Sequence, residues 1–250
     1  MTPRSEPPLS EAAREALAAR YTEIRARVDD ACARAGRSPS EVTLVAVSKT
    51  FAAPHLQALY DLGVRDFGES YVQEWQEKAP QLPADLRWHF IGHLQSNKVK
   101  QLLADGGEDA RQVAVIHAVD RGSVMREIAR RSDAPVPVFL QVNVGGEASK
   151  SGVASSEVEA LLREAVITHR LRVIGLMTIP PPVADPEDAR PFFAELVTLR
   201  DHCNRWLAEH APEHPALEAL SMGMSHDFEV AIEEGATHVR VGSAIFGART

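Results

Sequence analysis

Residues 45 to 50 read Val-Ala-Val-Ser-Lys-Thr, and a lysine directly behind an apolar, β-branched run is the first group in the chain whose setting suggests chemistry. A wall of Val45, Ala46 and Val47 desolvates an ammonium and favours the free, nucleophilic amine, so Lys49 is a candidate to form a Schiff base with a carbonyl. The plainer alternative is that the side chain ends a strand and snorkels to solvent. A second group lies in the tail, Val239-Arg240-Val241-Gly242-Ser243-Ala244-Ile245-Phe246-Gly247. There a strand that ends in Gly242-Ser243 and turns into a short apolar helical segment offers backbone N–H groups and a hydroxyl to a phosphate dianion. Ser221-Met222-Gly223-Met224-Ser225 is its counterpart, with Gly223 permitting close backbone approach and Ser225 placed to cap the next helix. Arg240, flanked by two valines, needs an acceptor inside the fold: an acid such as Glu69, or a ring nitrogen of a ligand.

Two further polar stretches carry less. In Trp88-His89-Phe90-Ile91-Gly92-His93-Leu94-Gln95-Ser96-Asn97-Lys98 the histidines are four apart, but the segment reads as strand into loop and brings no third ligand, so no metal site is expected. His93 reads as a satisfied polar residue at a strand mouth, with contact to a ligand as the other option. The loop Asn143 to Gly152 is Gly-rich and polar, yet Lys150-Ser151-Gly152 lacks the spacing of a triphosphate-binding loop.

The elements that must position these groups alternate along the chain. Ser10 caps a helix that runs to about Arg34 with an apolar stripe of Leu17, Tyr21, Ile24 and Val28, and residues 1–9 with their prolines read as frayed. Eight short strands follow, at Val42–Ser48, Val64–Gly68, Leu86–Ile91, Val113–Val119, Val136–Val144, Leu171–Met177, Ala219–Met222 and His238–Gly242. Helices are expected at His55–Leu62, Tyr71–Lys78, Asn97–Leu103, Arg121–Arg131, Ser155–His169, Asp185–His210 and Asp227–Glu234, with Gly106-Gly107 as a stop and Pro135 as a strand entry. Strands apolar on both faces that alternate with helices predict an α/β fold, a (β/α)8 TIM barrel with an extra N-terminal helix and no C-terminal β domain. The other reading is an open doubly wound sheet. Without a linker or repeat, residues 1–250 are expected to form a single domain. In the barrel, Lys49 and both phosphate loops share the C-terminal mouth where barrel enzymes place their chemistry.

Composition narrows the partners. The 27 basic and 35 acidic residues give a net charge of -8 without a basic block, so no nucleic acid partner is expected. Charges within MTPRSEPPLSEAAREALAAR mean that no signal peptide is expected there, and no apolar run approaches the roughly 20 residues of a membrane span. Cys32 and Cys203 lie far apart, which fits a reducing, cytoplasmic setting.

Taken together, Leu44–Thr50, Phe67-Gly68-Glu69-Ser70-Tyr71-Val72-Gln73-Glu74, Trp88–Lys98, Ser149-Lys150-Ser151-Gly152, Gly175-Leu176-Met177, Ser221–Ser225 and Arg240 to Arg249 resemble the YggS/PROSC family of pyridoxal 5′-phosphate (PLP) homeostasis proteins. That family shares the barrel of the alanine racemase N-terminal domain. The resemblance implies that Lys49 forms the internal aldimine with PLP and that the loops holding Met222, Gly223, Ser225, Gly242 and Ser243 take its phosphate. It places Arg240 near the pyridine nitrogen, where an arginine weakens the ring as an electron sink. Ser70 stands where the family usually has Asn, so a cofactor contact of that side chain does not carry over.

Alanine racemases continue into a β-rich domain whose tyrosine is the second acid/base, and two-base racemisation needs a proton donor on each face of the ring. This chain's tyrosines are Tyr21, Tyr60 and Tyr71, none an evident second base. The expected function is therefore storage, buffering or delivery of PLP by a monomer, with PLP-dependent apoenzymes as recipients and without efficient catalysis. The alternatives are an amino-acid racemase and a Schiff-base aldolase on a barrel; the second predicts a carbonyl substrate trapped on Lys49 and no chromophore.

Overall fold

The computed structural model describes residues 8–103, 113–131, 136–147, 151–168 and 171–247. Eight parallel strands close a ring: β1 (Thr43–Val47), β2 (Asp66–Glu69), β3 (Arg87–Phe90), β4 (Val113–Val119), β5 (Val136–Asn143), β7 (Leu171–Met177), β8 (Ala219–Met224) and β9 (His238–Val241). Pairing of β9 with β1 and of β4 with β5 completes the barrel, while the two-residue β6 (Val153–Ala154) lies beside β5 outside the ring. The expected barrel is therefore present, and the open sheet is excluded.

Helices wrap the ring: α1 (Glu11–Arg34), α2 (Ala53–Asp61), α3 (Val72–Lys78), α4 (Val99–Leu102), α5 (Gly122–Arg131), α6 (Val158–Thr168), α7 (Arg190–His210), α8 (Phe228–Glu233) and α9 (Ser243–Phe246). The Ser10 hydroxyl caps α1, whose buried Leu17, Ile24, Val28, Ala31 and Cys32 face α2, α8 and α9. Tyr21 is only partly buried against this core. Arg20 donates through Nε to the Ile245 carbonyl (2.7 Å) and through its terminal nitrogen to that of Phe246 (3.3 Å), so the added helix pins the segment that carries Ser243.

Some boundaries differ from the sequence reading for local reasons. Val64 was expected in a strand, but it closes α2: Gly63 takes φ 93, and the N–H groups of Gly63 and Val64 bond the carbonyls of Tyr60 and Leu59, a Schellman cap. The strand at Ala219 runs two residues past Met222 because Gly223, at φ 89, lets an extra residue in where the β8–β9 register shifts between Ser221 and Met224. Gly106-Gly107 and Pro135 lie outside the described residues.

Strand alternation sorts the side chains. Leu44, Ala46, Val239, Val241, Leu220 and Met222 join the core between barrel and helices. The opposite parity turns inward, and here the filling is unusual: the rings of His89, His117, His238 and Phe139 meet inside the barrel, with 4.5 Å between the His117 and Phe139 centroids. The outer packing is tight where β7 passes β8, since a methyl group on Gly175 would overlap the Ala219 carbonyl. Gly175→Ala is thus expected to cost about 3 kcal/mol, because backbone cannot yield as a side chain does; a urea melt reads it, and an unchanged midpoint contradicts the packing.

Candidate functional site

The parity that puts Val45 and Val47 inside the barrel carries Lys49 onto the same side at the mouth of β1. Lys49 lines a cavity of about 590 Å³ there, together with Val47, Phe51, Arg240, Gly242 and Ser243. Ser225 lies across from it and accepts from the backbone N–H groups of Gly242 (3.2 Å) and Ala244 (3.5 Å), which ties the two expected phosphate loops to each other. Gly242 is also closely packed, since a Cβ there would stand 3.3 Å from the backbone and side chain of Val47. His93 lines the rim, with Nδ1 3.1 Å from the Ser151 hydroxyl and 3.5 Å from Asp120 Oδ2.

Two expected contributors sit elsewhere. Met222 points outward into the core, fully buried, because Ser221 before it takes the inward position. Gly223 absorbs the register shift and packs against α8, where a Cβ would approach Ala231 and Phe228 to 2.6 and 2.9 Å. The shift flips the parity, so Met224 faces the cavity in place of Met222, followed by Ser225 and His226. Met224, His226, Phe51, Ile91, Gln141 and Ile179 were not singled out from sequence; a strict odd–even count puts Met224 on the outward side with Met222, because the shift at Gly223 is set by the pairing with β9. Ser70 does line the cavity. Lys150 lies outside the described residues.

The open question about Arg240 is answered by parity too. Glu69 follows Phe67 to the outside of the barrel and bonds Lys78 and Ser48, away from the guanidinium. Arg240 instead donates to the Ser221 hydroxyl (2.6 Å) and the Thr178 carbonyl (2.9 Å). Burial pulls it down to about 10, which leaves it charged at neutral pH. A buried cation resting on neutral acceptors is poorly compensated by the protein alone, and such groups concentrate where a ligand completes them.

Behind Arg240 a single hydrogen-bonded file crosses the barrel. Ser221 Oγ lies 2.8 Å from His117 Nδ1, His117 Nε2 lies 2.9 Å from His89 Nδ1, and His89 Nε2 lies 3.0 Å from Asp66 Oδ1. The Asp66 carboxylate can only accept, so His89 donates to it from Nε2; with one hydrogen assigned to each ring, His117 Nε2 then donates to His89 Nδ1, His117 Nδ1 accepts the Ser221 proton, and the Ser221 oxygen accepts from Arg240. Every donor therefore points from Arg240 at the cavity toward the Asp66 carboxylate, which Arg87 clamps at the other end. Burial, with His89, His238 and Arg240 nearby, holds His117 well below the usual imidazole range. Burial likewise pushes His238 down to about 3. The sequence reading missed this file because its members come from strands far apart in the chain.

A primary amine, a buried guanidinium, and hydroxyls with backbone N–H groups in one cavity are the donor set that a phosphorylated pyridine aldehyde needs, so the residues fit the cofactor named by the resemblance. Similarity to known proteins points the same way. Residues 19–250 match the family described as alanine racemase, N-terminal domain. The chain is 42% identical over 234 residues to the pyridoxal phosphate homeostasis protein of Aquifex aeolicus, covering 92% of this chain and 97% of that one. Among solved structures, a protein of unknown function from Bifidobacterium adolescentis aligns with a TM-score of 0.87 at 32% identity, over 98% of this chain and 100% of that one. PipY of Synechococcus elongatus, solved with PLP bound, aligns with a TM-score of 0.75 at 30% identity, over 92% and 100%. With the match running the length of the barrel and through both mouth loops, this chain belongs to the alanine racemase N-terminal-domain family, among its pyridoxal phosphate homeostasis proteins.

Proposed function

We propose that this protein binds PLP in the mouth of the barrel, with Lys49 as the covalent anchor, and stores, buffers or delivers it in the cytoplasm without efficient turnover. The observation that carries the reading is the convergence of Lys49 and the buried Arg240 on one cavity. When bound, the group supplies an aldehyde that condenses with a primary amine with loss of water, and a ring whose absorbance reports the bond. Ser225, Gly242 and Ser243 hold the phosphate, Arg240 faces the ring, and His93 bounds the rim. The neighbour PipY, solved with PLP bound, and relatives named pyridoxal phosphate homeostasis proteins support this.

The carrier reading is favoured over racemisation by the tyrosines. Tyr60 bonds Asp85, Tyr71 is exposed at the start of α3, Tyr21 lies on α1 partly buried against the core, and none of them lines the cavity. A phenol to serve the second face of the ring is thus missing from the described lining. No described helix is long and apolar enough to cross a membrane.

Titration of the protein with PLP tests the reading. The expected result is a visible band that saturates at one equivalent per chain, passes to an added PLP-dependent apoenzyme, and gives no D-alanine from L-alanine; gel filtration is expected to show a monomer. Sustained racemisation, or no band, would overturn it.

A further inference from the structure

The two peptide groups on either side of the Lys49 Cα are both held by one cluster on the outside of the barrel, buried at Lys78 and Glu69 and partly exposed at Glu74. Lys78, on α3, donates from Nζ to the Ser48 carbonyl (2.9 Å), to Glu69 Oε1 (2.7 Å) and to Glu74 Oε2 (2.7 Å). Glu74 Oε2 also accepts the N–H of Thr50 at 2.7 Å, and the Ser48 hydroxyl donates to Glu69 Oε1 at 2.7 Å. The Ser48 carbonyl belongs to the peptide before Lys49, and the Thr50 N–H to the peptide after it. Their orientation sets the direction of the Lys49 Cα–Cβ bond.

The cluster also maintains a conformation the chain would otherwise leave. Thr50 has φ 70, and it is the sole non-glycine residue with positive φ among the described residues. A β-branched residue there is strained, and such strain persists only where surrounding bonds over-determine it. Burying Lys78 and Glu69 (7% and 1% exposed) against three backbone and side-chain acceptors is a costly way to fasten a helix to a strand, since well-packed apolar residues do that at no electrostatic cost.

We infer that Lys78, with Glu74 and Glu69, is a positioning cluster for Lys49: it fixes the backbone at 48–50 so that the amine enters the cavity in a geometry ready to attack a carbonyl carbon. The inference rests on the PLP reading above and assigns residues outside the cavity a role in covalent capture, separate from holding the phosphate and ring.

Two ligands separate positioning from plain stability. PLP reports capture through the rate at which the visible band appears and the mass fixed by borohydride. Pyridoxine 5′-phosphate has the same ring and phosphate but an alcohol in place of the aldehyde, so it reports the non-covalent site alone. Glu74→Ala and Lys78→Met are expected to slow capture of PLP by about 10- to 100-fold while the Kd for pyridoxine 5′-phosphate stays within about twofold. Thr50→Gly in the Glu74→Ala background is expected to recover part of the rate, since glycine holds positive φ without help. Equal losses for both ligands, or no change in either, would overturn the inference. Should Lys78→Met fail to fold, Glu74→Ala decides, its parent side chain being a quarter exposed (25%). A wild-type protein that forms no adduct refutes the PLP reading instead. Formaldehyde–borohydride methylation of Lys49, measured by mass against Lys98 and Lys100, then decides: an unchanged Lys49 rate in Glu74→Ala contradicts positioning, and a change of about tenfold supports it.

Discussion

Lys49→Ala is expected to remove the PLP-induced visible band completely while leaving the fold almost untouched. The sequence has five lysines, and the other four are poor substitutes. Lys78 is buried behind the strand and bonded to two carboxylates. Lys98 and Lys100 sit on the segment leading into and through α4, away from the cavity, and Lys150 lies outside the described residues. No described neighbour can therefore replace the amine, and a covalent bond lost is lost entirely. The side chain is only partly buried at the mouth, so its truncation is expected to change stability by less than about 1 kcal/mol. Absorbance after PLP addition and a urea melt of the same sample read both halves. A mutant that keeps the band would assign the anchor elsewhere.

The second large effect is acid lability from the histidine-filled barrel. His238 is held down to about 3 by burial, and His117 is held well below the usual range by the same cause. Unfolded, both take a proton near pH 6.5. A base whose folded value is depressed contributes stability that is full above its unfolded value and is lost as pH falls below it. Two such groups are expected to lower stability by about 4 kcal/mol between pH 7 and pH 5, out of a total of roughly 5–15 for a domain. Asp66 extends the decline: burial raises its carboxyl, but the hydrogen bonds of His89 and Arg87 outweigh that and hold it at about 2, so its share is lost below about pH 4. Urea midpoints at pH 7 and 5 check this, and His238→Gln is expected to halve the difference. A flat profile would mean that the interior histidines are hydrated.

These effects depend on features that were unequally visible in the sequence. The barrel was legible because strands buried on both faces leave nearly continuous apolar runs, and those at Val113–Val119 and Leu171–Met177 match residue for residue. The position of Lys49 at the cavity was legible because it directly follows an apolar strand, and that of the serine loops because they end adjacent strands. Met224 was missed because the register shift at Gly223 flips which side of β8 faces in, and a local count cannot see a shift that only the pairing with β9 defines. The file from Arg240 to Asp66 stayed hidden because each member looks like a stray polar residue in its own strand, and only closure of the ring brings β2, β3, β4, β8 and β9 to one axis. The Lys78 cluster was masked for a different reason: Glu74 and Lys78, four apart on a helix, read as an ordinary solvated pair until burial shows otherwise.

We propose that the amine of Lys49 holds the cofactor. Incubation of wild-type protein with one equivalent of PLP, reduction with borohydride, digestion and peptide mass mapping tests it most directly. A single phosphopyridoxyl label on the peptide that contains Lys49 is the predicted result; a label spread over Lys98 and Lys100, or absent, would contradict it.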